Sequence, residues 1–388
     1  MPFVVIFLPD MHLYIHIPFC RQACHYCDFH FSTSLRDKGR LVRAVASEIG
    51  LQRDYLPGQE LHTVYFGGGT PSLLSEQELA LLLDTIRTYF QLRPDAEITL
   101  EANPDDLSDR TLQMLVNQGI NRLSIGIQSF HEPHLRFMNR AHTALEAERS
   151  VKAAQDAGIT NLTADLIYAI PAEDDSLLQA DIEKMLSLGI DHISAYCLTI
   201  EPKTVFGNWV KNQKIQPIED EYAARQFELL MDRLQQAGYD QYEISNFARN
   251  QKYSLHNSAY WQRRPYLGVG PSAHSYNGVS RQYTIANNAA YIKEIAKKKL
   301  PFTLEVLTPE DQVNEYLLTG LRTQWGCRLE LLQELSKGRF LGQMGEEIFR
   351  LRELGWLCAK DGLLLLTKRG KLFADRVASE LFMVEENV

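Results

Sequence analysis

Cysteine is scarce in this chain: six in 388 residues. A secreted disulfide scaffold carries far more, so the composition points to a reduced, intracellular protein. Basic excess is missing too. Lys and Arg total 40 against 49 Asp and Glu, a formal net charge of −9. That balance argues against a dedicated nucleic-acid binder. No apolar run reaches the roughly 18 residues that span a bilayer. The opening stretch "MPFVVIFLPDM" is apolar but lacks a basic n-region and is broken by Pro9 and Asp10. It is read as no signal peptide, with Met11 as an alternative start. A cytoplasmic location is the expectation. The sequence also lacks internal repeats, low-complexity segments and a long linker.

Residues 12–200 alternate short strand patterns with longer helical ones. Strands are predicted at 13–17, 62–66, 97–101, 122–127, 162–168 and 192–198. Helices are predicted near 36–55, 75–90, 108–118, 142–157 and 176–187. Ser75 with Glu78 reads as a capping box, Ser108 as an N-cap, and Gly119, Gly158 and Gly189 as C′ residues. Repeated β-then-α steps imply a parallel sheet with right-handed crossovers. The predicted class is α/β, a partial (β/α)6 TIM-like barrel, with a doubly wound sheet as the alternative. Within the strands one face is apolar and the other polar. Tyr14 and His16 share a face, as do Thr99, Glu101 and Asn103, then Ser124, Gly126 and Gln128, then Thr163 and Asp165. A parallel strand covered on both faces is usually apolar throughout. Buried polar groups need partners, so the polar faces point to an interior that holds a polar ligand.

Beyond residue 200 the alternation loosens. A helix near 219–237 ends at Gly238, and aromatic, glycine-rich segments follow. Thr308, Pro309 and Asp311 open another helix. Three helices, a hairpin turning at Asp361–Gly362 and a terminal helix then give a winged-helix-like order. Such modules can bind DNA, but in an acidic chain a packing or substrate-covering domain is the better reading. The expected organisation is a barrel core over 1–205, a connecting region over 206–305 and a winged-helix-like α+β domain over 306–388.

Three of the six cysteines crowd into one loop, "CRQACHYC", at Cys20, Cys24 and Cys27. Structural zinc sites close with four ligands, usually from two pairs, and no second pair exists here. A four-iron cluster normally takes four thiolates. With three, one iron keeps an open position.

This run resembles the radical S-adenosylmethionine (SAM) signature CxxxCxxC, with the aromatic Tyr26 before the third cysteine. The resemblance implies a [4Fe-4S] cluster whose open iron chelates SAM. "FGGGTPS" resembles the motif that receives the SAM amino group, at Gly68, Gly69 and Thr70. The segments "YIHIPFC", "EANPDD", "RLSIGIQSF", "NRAH" and "DLIYAIP" are similar in order to the oxygen-independent coproporphyrinogen oxidase group. By that likeness Tyr14, Glu101, Gln128, Arg140 and Asp165 contact SAM. The group usually has glycine where this chain has Ala169, and a methyl there is expected to narrow the cavity slightly.

True oxidases of the group add a fourth cysteine two residues after the third. Here that position is Phe29, the pattern of the HemW heme chaperones. "YEISNFA", "GVGPSAHSY" and "NEYLLTGLRT" resemble the same branch. So does HNxxYW, linked in that family to heme: His256, Asn257, Tyr260 and Trp261. A neutral imidazole is a standard axial ligand of heme iron. His256 is therefore the candidate ligand, with His274, His16 and Cys197 as alternatives. Asn257 is read as orienting the ring or holding a propionate. Tyr260, one helical turn on, shares its face. The implied partners are heme, apo-hemoproteins, respiratory ones among them, and an electron donor. Nucleic acid is not expected, and membrane contact would come only through clients. The rival reading is an oxygen-independent coproporphyrinogen III oxidase.

Overall fold

The computed structural model describes residues 10–384. The apolar stretch over residues 1–9 lies outside the described residues.

The amphipathic periods become a regular alternation. In chain order the elements are β1 Met11–Ile17, α1 Lys38–Leu51, β2 Glu60–Gly68, α2 Glu76–Tyr89, β3 Gln91–Ala102, α3 Asp109–Gln118, β4 Arg122–Gln128, α4 Glu132–Phe137, α5 Ala144–Asp156, β5 Asn161–Tyr168, α6 Ser176–Ser187 and β6 His192–Cys197. All five neighbouring pairs from β1 to β6 are parallel, in consecutive order. A doubly wound sheet would reverse its strand order at a switch point. This sheet does not, so right-handed crossovers lay the helices on one side, as in a partial (β/α) barrel.

Local chemistry sets the helix ends. Ser75 and Glu78 form a reciprocal capping box at α2, and Ser108 accepts from the Thr111 amide at α3. Gly119 closes α3 in the left-handed region at φ 90°. The apolar stripes of α1 (Leu41, Val42, Val45, Ile49) and α2 (Leu79, Leu82, Leu83, Ile86) are buried in one core with Leu13, Ile15, Ile17, Val64 and Phe66. Each such side chain contributes about 1.5–3 kcal/mol on burial. The opposite strand faces are left for the polar groups.

The middle of the chain lengthens this sheet. It comprises α7 Val205–Lys211, α8 Asp220–Gln236, β7 Asp240–Glu243, β8 Asn246–Ala248, α9 Leu255–Trp261, β9 Tyr266–Val269, β10 His274–Tyr276, β11 Ser280–Thr284, α10 Asn288–Ala296 and β12 Phe302–Val306. β9 pairs parallel with the free edge of β1, and β10, β11 and β12 follow antiparallel. β8 and β7 extend the far side beyond β6. Among the described residues the sheet has 12 strands.

The C-terminal part contains α11 Pro309–Gly320, β13 Cys327–Arg328, α12 Leu329–Leu335, α13 Phe340–Glu353, β14 Leu357–Lys360, β15 Leu363–Leu366 and α14 Ala374–Glu380. Thr308 and Asp311 box the start of α11 with Pro309 in its first turn. Asp361 (φ 50°) and Gly362 (φ 77°) both take the left-handed values a tight hairpin turn needs. Val313, Leu317, Phe340, Leu351, Leu364 and Val377 build a separate core here. This part is tied to the barrel edge by the Ile244 amide on Arg322 O and by an Arg322–Glu243 ion pair at 3.2 Å.

Candidate functional site

The cysteine loop leaves the end of β1 and is fastened from several sides. The Cys20 amide donates to Ser32 O at 3.1 Å, and the Ser32 amide to Pro18 O at 2.9 Å. The His25 amide donates to Met138 O and its Nδ1 pairs with Phe137 O. Asn139 adopts φ 57°, and its Nδ2 donates to Ala23 O at 2.7 Å. Gln22 reaches back to Asn139, and Arg21 pairs with Asp106 at 2.8 Å. All three loop cysteines are free and partly buried. Burial pushes the Cys27 thiol up to about 11 and raises Cys20 as well, where Thr70 hydrogen-bonds against it. Such thiols keep their protons until a metal displaces them. Among the described residues no three His, Cys, Asp or Glu side chains close on a single ion. A four-iron cluster makes a different demand, because each thiolate binds its own iron.

The glycines of "FGGGTPS" lie against this loop. The Gly69 amide donates to Ile17 O at 2.9 Å and the Thr70 amide to Phe19 O at 2.7 Å. A Cβ on Gly69 would stand 2.7 Å from three backbone atoms of Ile17 and Phe19. Gly68 has φ 104°, and a Cβ there would strike the His16 ring. The close approach these glycines permit is to the chain's own cysteine loop.

The polar strand faces meet inside the barrel. Glu101 accepts from Tyr65 OH at 2.8 Å and from the Gly68 amide at 3.1 Å. Ser124 Oγ donates to Asp165 at 3.3 Å. Burial pushes both carboxyls up to about 7, with the neighbouring Glu101 adding to the shift of Asp165. Arg140 donates to Asn103 Oδ1 and Gly126 O, both at 2.7 Å, and reaches Cys24 Sγ at 3.3 Å and Tyr26 OH at 3.4 Å. It therefore joins the cysteine loop to β4. Gln128 sits beyond an irregularity in the β4–β5 pairing, at φ 69°. Tyr14 OH pairs with His16 Nδ1 at 3.0 Å, and its ring stacks on Tyr65.

Beneath these groups α9 plugs the barrel. Glu97 on β3 accepts the Leu255 and His256 amides, and Ser254 caps the helix. His256 is 1% exposed. Its Nδ1 pairs with Thr63 Oγ1 at 2.6 Å and its Nε2 with Tyr260 OH at 2.8 Å. Its ring stacks on Tyr65 at 4.8 Å. Burial holds its pKa well below the usual value, so the ring is neutral. Arg122, 3.6 Å from Glu97, balances that buried carboxylate.

The radical SAM superfamily model matches residues 14–189, and a HemN C-terminal domain model matches 307–373. The chain is 36% identical over 370 residues to the heme chaperone HemW of Bacillus subtilis, covering 94% of this chain and 97% of that one. It is 39% identical over 272 residues to the HemW of Escherichia coli, covering 69% and 70%. The chain belongs to the HemW family of radical SAM proteins. A mitochondrial radical S-adenosyl methionine domain-containing protein 1 of Danio rerio is 32% identical, covering 91% of this chain and 84% of that one. Among solved structures, the E. coli coproporphyrinogen III oxidase HemN shares the fold, with a TM-score of 0.83 over 97% of this chain and 91% of that one, at 22% identity.

In this chain the residues singled out from sequence separate into groups. Cys24, Tyr26 and Arg140 touch or neighbour one another, and Thr70 reaches Cys20. Gly68 and Glu101 share a hydrogen bond, and Asp165 lies within Glu101's field. His256 and Tyr260 bond to each other as their four-residue spacing implies. Trp261 is half-buried, with the Arg322 guanidinium 5.4 Å from its ring. Asn257 bonds Ser254 through its backbone amide. As folded here, both His256 nitrogens are engaged, so the ring would have to break those bonds to meet iron. His16 is likewise engaged, by Tyr14 and by His30 O, whereas His274 is exposed. Ala169 differs from the sequence expectation. Its backbone takes the left-handed φ of 62° and its methyl belongs to the apolar core, so the substitution acts on the backbone rather than on the width of a polar cavity.

The polar interior fits a cationic, hydroxyl-rich ligand. Glu101 and Asp165 form no ion pair among the described residues, and Thr99 Oγ1 and Arg140 Nε are buried without partners. Sequence reasoning missed Tyr65, Thr63, Glu97 and Asn139. The first two were legible in the alternation of "HTVYF", and Asn139 stood beside Arg140 in "NRAH".

Proposed function

We propose that this protein is a heme chaperone that carries a [4Fe-4S] cluster on Cys20, Cys24 and Cys27, binds SAM in the barrel and hands heme to apo-hemoproteins, respiratory ones among them. The observation that carries the reading is the cysteine loop itself. Three free thiols are fastened over an interior where Glu101 and Asp165 form no ion pair among the described residues, and the position of a fourth cysteine is taken by Phe29, which is 69% exposed. A phenyl group cannot replace a thiolate ligand. A cluster held by these three thiolates would supply one-electron reducing chemistry toward SAM once reduced by an electron donor. The chain's own residues divide the remaining work. Glu101 and Asp165 suit the ammonium and ribose hydroxyls of SAM. Arg140 anchors Cys24 and fixes β4 beneath it. Thr70 restrains Cys20, and Tyr26 packs behind the loop.

The test is anaerobic reconstitution followed by two assays on one sample. The reading expects about four irons per chain, lost when all three loop cysteines become alanine. It expects heme transfer to an apoprotein and no conversion of coproporphyrinogen III. Porphyrinogen decarboxylation with SAM and reductant would establish the rival oxidase instead.

A further inference from the structure

β12 is the outermost strand on one side of the sheet, and among the described residues no strand lies beyond it. Its pairing with β11 fixes which backbone groups are free. The Ile285 amide donates to Pro301 O and the Leu307 amide to Val279 O. In an antiparallel ladder, bonded pairs alternate with non-bonded ones. Thr303 and Glu305 are therefore the residues that bond to Tyr283 and Arg281, and the amides and carbonyls of Phe302, Leu304 and Val306 point away from the sheet. These same three residues carry apolar side chains that are 37%, 55% and 70% exposed. Their cross-strand neighbours Thr284, Gln282 and Ser280 are buried, and Gln282 bonds Gln52 at the end of α1. The cover over β11 thus ends before β12.

The chain leading into this strand is basic. Lys293, Lys297, Lys298 and Lys299 are all exposed, and Lys299 stands three residues before Phe302. Glu294 pairs with Lys297, and Glu305 is taken by Arg281. Lys293, Lys298 and Lys299 form no side-chain ion pair or hydrogen bond among the described residues. Lysines beside protruding apolar side chains also suit an anionic lipid surface. Lipid cannot bond the outward amides and carbonyls, and open sheet edges do not occur in hydrocarbon. A second copy of this edge would bring the same lysines and a glutamate already engaged by Arg281. A strand from a different protein answers all three features. It pairs with the free backbone groups, packs apolar residues beside Phe302, Leu304 and Val306, and brings carboxylates to the lysines.

We propose that β12 is a docking edge for an extended, acidic segment of a partner protein, which joins the sheet as a further strand. β11, β10 and β9 stand between this edge and β1, so the partner is held on the flank of the barrel. The assignment is independent of the heme reading, because it uses neither the barrel interior nor α9.

The probe is a fluorescein-labelled peptide of alternating threonine and valine that ends in a run of glutamates. It is titrated onto the full chain and followed by fluorescence anisotropy. The first variant is Leu304→Pro, which removes an outward amide and leaves the ladder to β11, a substitution that edge strands tolerate. Its melting temperature is the folding control. The expected result is saturable binding by the wild type, weakened about tenfold or more by Leu304→Pro. Lys298→Glu with Lys299→Glu should weaken it about threefold or more and flatten its salt dependence. Should proline unfold the chain, the lysine pair decides, and unchanged binding there overturns the proposal. Co-sedimentation with phosphatidylcholine vesicles containing phosphatidylglycerol, and sedimentation velocity of the chain alone, test the other occupants. Vesicle binding without peptide binding gives the edge to lipid. Self-association lost in Leu304→Pro, again without peptide binding, gives it to a second copy. Either result overturns the proposal, as does a wild-type chain that leaves the peptide unbound or a folded Leu304→Pro chain that binds it unchanged.

Discussion

Gly69→Ala tests whether the glycine motif builds the cysteine loop. The new Cβ would stand 2.7 Å from Ile17 O, Phe19 N and Phe19 O. All three are backbone atoms, so no side chain can swing aside. Forcing a methyl into packed structure costs about 1–3 kcal/mol. Relief would come by separating the two segments, which breaks the hydrogen bonds from Gly69 and Thr70 to Ile17 and Phe19. Each contributes about 0.5–1.5 kcal/mol. The total, about 2–6 kcal/mol, is a large part of a typical folding free energy. Urea denaturation of the apo chain measures the loss. Iron and acid-labile sulfide per chain after anaerobic reconstitution measure what happens to the loop. Gly158→Ala is the control. Gly158 has φ 89°, and no atom stands within 4 Å of the place its Cβ would take. The substitution therefore carries only a left-handed penalty of about 1–2 kcal/mol and leaves iron loading intact. A Gly69→Ala chain that unfolds at the wild-type urea concentration and still loads four irons would refute the argument.

Other perturbations follow from the same geometry. Glu101 and Asp165 rise from 4.5 and 3.8 to about 7 on folding, chiefly through burial. The folded chain then holds extra protons in that window, so apo stability is greatest at its acid end and falls as pH rises through it. Glu101→Gln with Asp165→Asn should flatten the decline in melting temperature between about pH 5 and pH 8; an equally steep decline in the variant would contradict the assignment. Arg122→Met strands Glu97 as an unbalanced buried charge beneath α9, and a destabilisation of about 3–5 kcal/mol is expected by denaturant titration. Ala169→Gly relieves a left-handed alanine and should raise stability by about 0.5–1 kcal/mol, seen as a higher urea midpoint; a lower midpoint would show that the lost methyl contact outweighs the backbone.

The six barrel strands and their helices were legible because each carries its own period. The strand at 122–127 is apolar on alternate residues, and α2 advertises its start with Ser75 and Glu78. The six strands between 240 and 306 were not. β9 is four residues long, and its place is set by pairing with β1 at the other end of the chain. No local pattern encodes such a partner. At the site, alternation exposed the inward carboxylates Glu101 and Asp165, but not what would meet the polar groups lower in the barrel. His256 looked in sequence like a presented ligand. Its partners Thr63 and Glu97 lie on other strands, and only the folded chain brings them together.

In an isolated six-stranded barrel β1 would be a margin of the sheet. Here it has β2 on one side and β9 on the other, while the outermost strands are β12 and β7. The strand that launches the cysteine loop is thereby an interior beam, paired with β2 along its length and with β9 over His12–Ile15. Its amides should be among the slowest to exchange with deuterium, and those of β12, whose five residues are all exposed, among the fastest. Whatever else in the molecule yields, the mounting of the three loop thiols is built to stand still.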